Sequence, residues 1–232
     1  MPDDPETGPA MTGWLTFAGI FALFFATHSI PVRPPVKRQI VRHVGPRGFT
    51  IGYSILSLVM LALLIWGADR APFVLVWGEA PWHRPIVWAG MFAACLILAA
   101  TIGRPNPFSF GGRNDQAFDP ENPGLIGYMR HPLLIVLALW AGLHVLGNGD
   151  LAHVLLFGTL TLFALLGFRI VDMRKKRILG PETWARLLSQ TRAARHVGMP
   201  SRDTLLRIAA GVVGYLILVA LHPVVIGQPV FL

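Results

Sequence analysis

The chain alternates between long apolar runs and short polar breaks. Six runs stand out, at residues 11–30, 50–68, 85–103, 132–147, 151–170 and 204–222. A helix needs about 17–25 apolar residues to cross a bilayer, so five of them fit and the fourth sits at the short end. The pattern predicts an all-α, polytopic membrane helix bundle of about six transmembrane helices. It forms a single domain over 11–223, behind a polar tail at 1–10. That tail, "MPDDPETGPA", has no Lys or Arg and no apolar centre, so the first run is expected to be retained rather than removed as a leader.

Composition supports the same class. The chain is 53% hydrophobic and 14% charged, whereas a soluble domain carries roughly a quarter of its residues as charges. Cys95 stands alone, in the middle of a span. This excludes a disulfide framework, a CxxCH haem attachment and a cysteine zinc site, and leaves a small buried hydrophobe as the expectation.

A formal net charge of +8 could point to nucleic acid, but the placement of the charges argues otherwise. Seventeen Lys and Arg residues fall in alternate connections (31–49, 104–130 and 169–203), against two in the others, Arg70 and Arg84. That is the positive-inside pattern, and it predicts basic loops in the cytoplasm with both termini outside, in the periplasm of a bacterial inner membrane. Nucleic acid is therefore not an expected partner; the lipid bilayer is.

Within the last basic segment, "GPETWARLLSQTRAARH" reads as a short helix over 181–196. Pro181 suits its first turn and Glu182 its positive end. Trp184, Leu187, Leu188 and Thr191 share a face, so the helix is expected to lie on the inner leaflet. Gly211 and Gly214 in the sixth run, and Gly158 and Gly167 in the fifth, are expected to permit close helix approach. In "NGD", Asp150 is expected to cap the fifth span.

Eight histidines sort by this topology. His43, His83 and His196 are expected at solvated surfaces, and His153 and His222 at outer helix ends. His28, His131 and His144 remain inside or at the edge of spans. A buried imidazole wants partners for both ring nitrogens, and polar groups within spans are costly unless paired or functional. Zinc needs three or four close ligands, and proton relays need carboxylates; the spans offer almost none. Haem needs one or two axial imidazoles, an apolar slot and basic groups near its propionates, all of which are present. Arg113 is a candidate propionate partner, and Asp115 a candidate support for a ligand network.

The run "RHPLL", followed by "LWAGLHVLGNGDLAHVLLFG", resembles the NnrU family of membrane proteins. So do "THSIPVRPPVKR" and "GGRNDQAFDPENPGLIGYMRHP". The likeness extends over roughly residues 11–200. That family is linked to nitrite and nitric oxide metabolism and is related to 15-cis-zeta-carotene isomerase, which uses haem b. The resemblance implies His28 and His144 as axial ligands of the haem iron, and His131 as an essential, catalytic neighbour. It implies redox-gated cis–trans isomerisation of a carotene-like polyene, with a redox partner. The alternative is a non-enzymatic haem protein supporting denitrification. Counting along the helices adds a second option for the ligand pair. His28 lies roughly 25 Å from the outer face, a level closer to His131 than to His144. "GLIGYMRHPLL" is also similar to membrane methyltransferases, but the acidic pair expected after their next helix is reduced here to Asp172 in "DMRKKR".

Overall fold

The structure is a computed structural model that describes residues 7–195 and 201–227. Among these residues the regular structure is all helical, with no strand beyond one isolated bridge. Seven helices follow in order: α1 (Thr7–Ser29), α2 (Pro34–Ala68), α3 (His83–Thr101), α4 (Pro132–Gly147), α5 (Leu151–Leu179), α6 (Pro181–Ala193) and α7 (Arg202–Ile226). Five of them, α1, α2, α3, α5 and α7, are long and apolar enough to cross a membrane; α4 is a shorter apolar helix of 16 residues. Only 6–17% of the most apolar window of each long helix is buried by the chain itself. The large side chains left outside, such as Leu58, Leu162, Leu166 and Leu216, therefore need an apolar solvent. This is a multi-pass membrane protein.

The chain divides into two compact units. The first holds α1, α2, the connection to Gly78 and residues Asn148–Leu156. Here α1 packs on α2. Backbone hydrogen bonds staple the connection to the start of α5: the Gly149 carbonyl accepts from Val76 N at 2.8 Å and Trp77 N at 3.2 Å, and Leu151 N donates to Val74 O at 2.8 Å. The last of these occupies one of the N–H groups that a helix start leaves without an internal partner. Asp150 caps the same turn as expected, accepting from His153 N at 3.2 Å.

Two features of this unit depart from the sequence-based expectation. Helix begins at Pro34 rather than near residue 50, and is interrupted by one non-helical residue, Gly45 (φ 72°, ψ 168°). Only glycine takes that backbone conformation cheaply. His153 is also bound by carboxylates: Nδ1 lies 2.8 Å from Asp150 and Nε2 3.4 Å from Asp69.

The second unit holds α3, α4, α6, α7 and α5 from Phe157 onward. In it α3 packs against both α4 and α7. His83, at the start of α3, is 6% exposed, beside the Trp82 ring at 4.2 Å. The expectation of a solvated His83 is corrected: its helix start is folded in rather than looped out. His196 lies outside the described residues.

The glycine expectations divide. A Cβ on Gly211 would lie 3.1 Å from Cys95 O, 3.1 Å from Ala99 Cβ and 3.2 Å from Leu96 Cα, so here α7 rides directly on the α3 backbone. A Cβ on Gly214 would meet nothing within 4 Å. Likewise, Gly167 contacts Leu134 while Gly158 faces open space. Gly211→Ala is therefore expected to lower the thermal midpoint in detergent, because rigid backbone must give way. Gly214→Ala is expected to leave it unchanged or raise it, gaining up to about 1 kcal/mol of helix propensity. Equal effects of the two substitutions would contradict the α3–α7 packing.

Candidate functional site

The long connection between α3 and α4 is folded, not loose. Gly103 (φ 71°) and Gly111 (φ 85°) take left-handed turns, and Gly103 N donates to Gly111 O at 2.9 Å. Gly112 sits so close that an added Cβ would lie 2.7 Å from Asp115 Oδ1 and 2.8 Å from Arg104 O. Phe108, Ile126 and Leu188 form a small core, with Phe118, Trp184 and Leu187 packed around it. The apolar face of α6 thus meets this connection. That corrects the expectation that Trp184, Leu187 and Leu188 rest on the leaflet: the chain supplies its own cover.

Where the connection enters α4, a polar node is held together. The Asp172 carboxylate of α5 accepts from Arg130 Nη2 at 2.7 Å on one oxygen and faces His131 Nε2 at 2.9 Å on the other. His131 Nδ1 lies 3.1 Å from Ser109 Oγ. Asn106 Nδ2 donates to Arg130 O at 2.9 Å, and Asn106 N to Asp115 Oδ1 at 3.1 Å. Lys175 of α5 reaches Asp115 Oδ2 at 3.3 Å.

His131 is 2% exposed, and burial pushes its pKa below the ordinary 6.5. The Asp172 carboxylate pulls the other way, and Arg130 adds to the lowering. The ring is therefore neutral at pH 7 and carries one N–H. A carboxylate only accepts, so Nε2–H donates to Asp172 and Nδ1 accepts from the Ser109 hydroxyl. Both ring nitrogens are engaged. Ser109, His131 and Asp172 form a row, but the two nitrogens are reversed relative to a hydrolytic triad, and Ser109 is 1% exposed. No acyl group reaches such a hydroxyl. The node holds structure together.

The other two histidines are differently placed. His28, in the first unit, has Nδ1 3.0 Å from Phe24 O and Nε2 3.1 Å from Ser57 Oγ of α2. Its ring lies 4.2 Å from Phe24 and 5.6 Å from Tyr53, whose hydroxyl donates to His28 O at 3.2 Å. Ser57 Oγ also donates to Tyr53 O at 2.8 Å. With Nδ1–H given to Phe24 O, Nε2 of a neutral His28 is an acceptor within reach of the Ser57 hydroxyl, which also reaches Tyr53 O.

His144, in the second unit, repeats the device. Its Nδ1 lies 2.7 Å from Trp140 O, and its ring lies 4.7 Å from Phe157 and 5.1 Å from Trp140. An Nδ1–H tied to a backbone carbonyl fixes the neutral tautomer whose lone pair is on Nε2. The same bond recurs at exposed His43, to Gln39 O at 2.9 Å, so the bond itself is not diagnostic. The aromatic surroundings and the position in apolar helices set His28 and His144 apart.

His131 and His144 stand thirteen positions apart on or beside one helix, about 20 Å along its axis, so one iron cannot take both. Of the two loop candidates, Asp115 is tied to Asn106 and Lys175, whereas Arg113 is exposed. Sequence reasoning did not assign Ser109, Asn106 or Lys175, and noted Asp172 only as a lone acid. The available signal was Asp172 itself, the one acidic residue in a 29-residue helix.

The node yields a pH prediction. The folded chain resists protonating His131, so its contribution to stability is complete above pH 6.5 and is lost as pH falls through the window below. Across that window the wild type is expected to lose more stability than His131→Gln does, by at most about 1.4 kcal/mol per pH unit. Asp172→Asn is expected to cost about 2 kcal/mol at neutral pH by stranding Arg130. Parallel pH profiles for wild type and His131→Gln would refute a neutral, buried ring.

The family model described as NnrU protein matches residues 16–230. Among curated proteins and among solved structures nothing matches the chain.

Proposed function

This chain belongs to the NnrU family, and on that premise we propose that it binds one haem b through His28 and His144 and isomerises a cis double bond of a carotene-like polyene. The setting is a bacterial inner membrane, with the basic loops inside and both termini outside. The observation that carries the proposal is the shared state of the two histidines. Each gives Nδ1–H to the carbonyl four residues back, among aromatic rings, and so turns Nε2 into a ligand atom.

The donor set fits haem rather than a hydrated ion: two imidazoles set among aromatic rings, with no cluster of three or more metal-ligating side chains among the described residues. Haem would supply a redox-tunable Lewis acid able to polarise a conjugated double bond. The protein's part is to position and to dry. The Phe24 and Trp140 carbonyls raise the basicity of the two imidazoles and fix their ring orientations. Tyr53 beside His28 and Phe157 beside His144 would each shield their imidazole from water, as a lipophilic substrate requires. His131 enters as a positioning residue, since both its nitrogens are used in tying α4 to α5 and to Ser109. Arg113 is the proposed propionate partner, on a loop braced by Asp115.

Protein purified from haem-supplied cells is expected to show a Soret band with sharp α and β bands on reduction. His28→Ala and His144→Ala should each abolish the six-coordinate spectrum and weaken haem retention at least about tenfold, whereas His131→Gln should keep the spectrum. Colourless but well-folded wild-type protein overturns the haem assignment. Haem-loaded protein that leaves a 15-cis polyene unchanged under reducing conditions overturns the isomerase and leaves a non-enzymatic haem protein of nitrite or nitric oxide metabolism.

A further inference from the structure

Residues Pro34–Val44 were expected to be part of a loop, yet they form three turns of helix joined to the apolar length of α2 through Gly45 alone. Arg33 precedes the helix in an extended conformation, and Pro34 and Pro35 occupy its first turn, where a missing N–H costs nothing. The sides of this short helix are cleanly divided. Pro35, Arg38, Gln39, Arg42 and His43 recur at three- and four-residue spacing on one side, and all five are exposed. Val36, Ile40, Val41 and Val44 occupy the other. Lys37 falls on the apolar side, but its ammonium lies 5.0 Å from the centre of the Phe49 ring, across the Gly45 break.

Among the described residues no acidic side chain pairs with the arginines of this helix. No Asp or Glu occurs anywhere between Thr7 and Ala68. Among the described residues, Arg33, Arg38, Arg42 and Arg47 take part in no ion pair, while Arg104, Arg130 and Lys175 of the later basic segments each bind a carboxylate. A basic amphipathic helix held at the end of a membrane span by one residue meets phosphate headgroups first. Gly45 supplies the bend, the valines and Ile40 the apolar underside, and the arginines the counter-charge.

We propose that Pro34–Val44 is a membrane-surface helix whose Arg38, Arg42 and His43 side binds the headgroup phosphates of acidic phospholipids. Arg38 and Arg42, one turn apart, hold the phosphate by charge-assisted hydrogen bonds. His43 lies at the edge of the same surface with Nδ1–H given to Gln39 O, so a further N–H, at Nε2, is available to phosphate only from the protonated ring. The inference is independent of haem and of any activity.

The test is lipid binding to the full chain in zwitterionic detergent, read by native mass spectrometry with phosphatidylglycerol and phosphatidylcholine titrated separately. The wild type should prefer phosphatidylglycerol, and the preference should fade as salt is raised. Each juxtamembrane arginine contributes roughly fivefold, so Arg38→Gln with Arg42→Gln should reduce the preference by about 20–30-fold. Arg186→Gln with Arg192→Gln, on exposed positions of α6, should leave it intact. All of these positions are exposed, so the fold is not at stake. An unchanged preference in the Arg38/Arg42 variant, or an equal loss in the α6 variant, overturns the site. Displacement of the lipid by inorganic phosphate at equal concentration overturns the assignment to a lipid headgroup.

Discussion

One carboxylate organises the second unit. Asp172 gives one oxygen to Arg130 and the other to His131, and so fixes where the fourth helix begins against the fifth. The consequences spread through hydrogen bonds, each of which depends on the last. His131 donates from Nε2, and because the ring is neutral its Nδ1 is left as an acceptor for Ser109. Arg130, once placed, offers its carbonyl to Asn106, whose own N–H meets Asp115. Lys175, one turn along α5 from Asp172, closes the circuit on Asp115. The 103–130 connection is held by hydrogen bonds within itself and to α5, as irregular backbone next to a membrane requires.

The three histidines near the spans are held in two different ways. At His131 both nitrogens face polar partners, and the ring serves as a strut. At His28 and His144 Nδ1 is tied to the carbonyl one turn back, and the rings lie among aromatic side chains. The difference lies in the reach of the partner. A carbonyl four residues back is always available on a helix, whereas a carboxylate 41 residues away must be brought there by the fold.

That distinction also governs what the sequence made legible. The helices were readable because oil imposes length and composition on them; the fourth coincides with its expected bounds, 132–147. The Asp150 cap was readable because it acts over three residues. The Asp172 partnership was not, since nothing local in "DMRKKR" says which loop it serves. α6 misled for a related reason: an amphipathic pattern shows that a face is apolar without saying whether lipid or protein covers it. Gly45 was hidden because Pro46 after a glycine reads as the end of a loop, and the helix before it is too short and too polar to register as a span. Of the candidate site, the histidines were visible from the sequence, and their hydrogen-bonding states were not.

The staple at Gly149 bears on how the molecule is made. It ties residues 74–77 to the beginning of α5, about 75 positions further along the chain. A ribosome adds roughly 5–20 residues each second, so the earlier segment waits on the order of several seconds before its partner exists. Until then Val76 and Trp77 have no Gly149 carbonyl to bind, and the first helical pair sits in the bilayer with its connection unlatched. That latch can close only after α1 to α4 have been synthesised, so the first unit is completed by residues that follow much of the second.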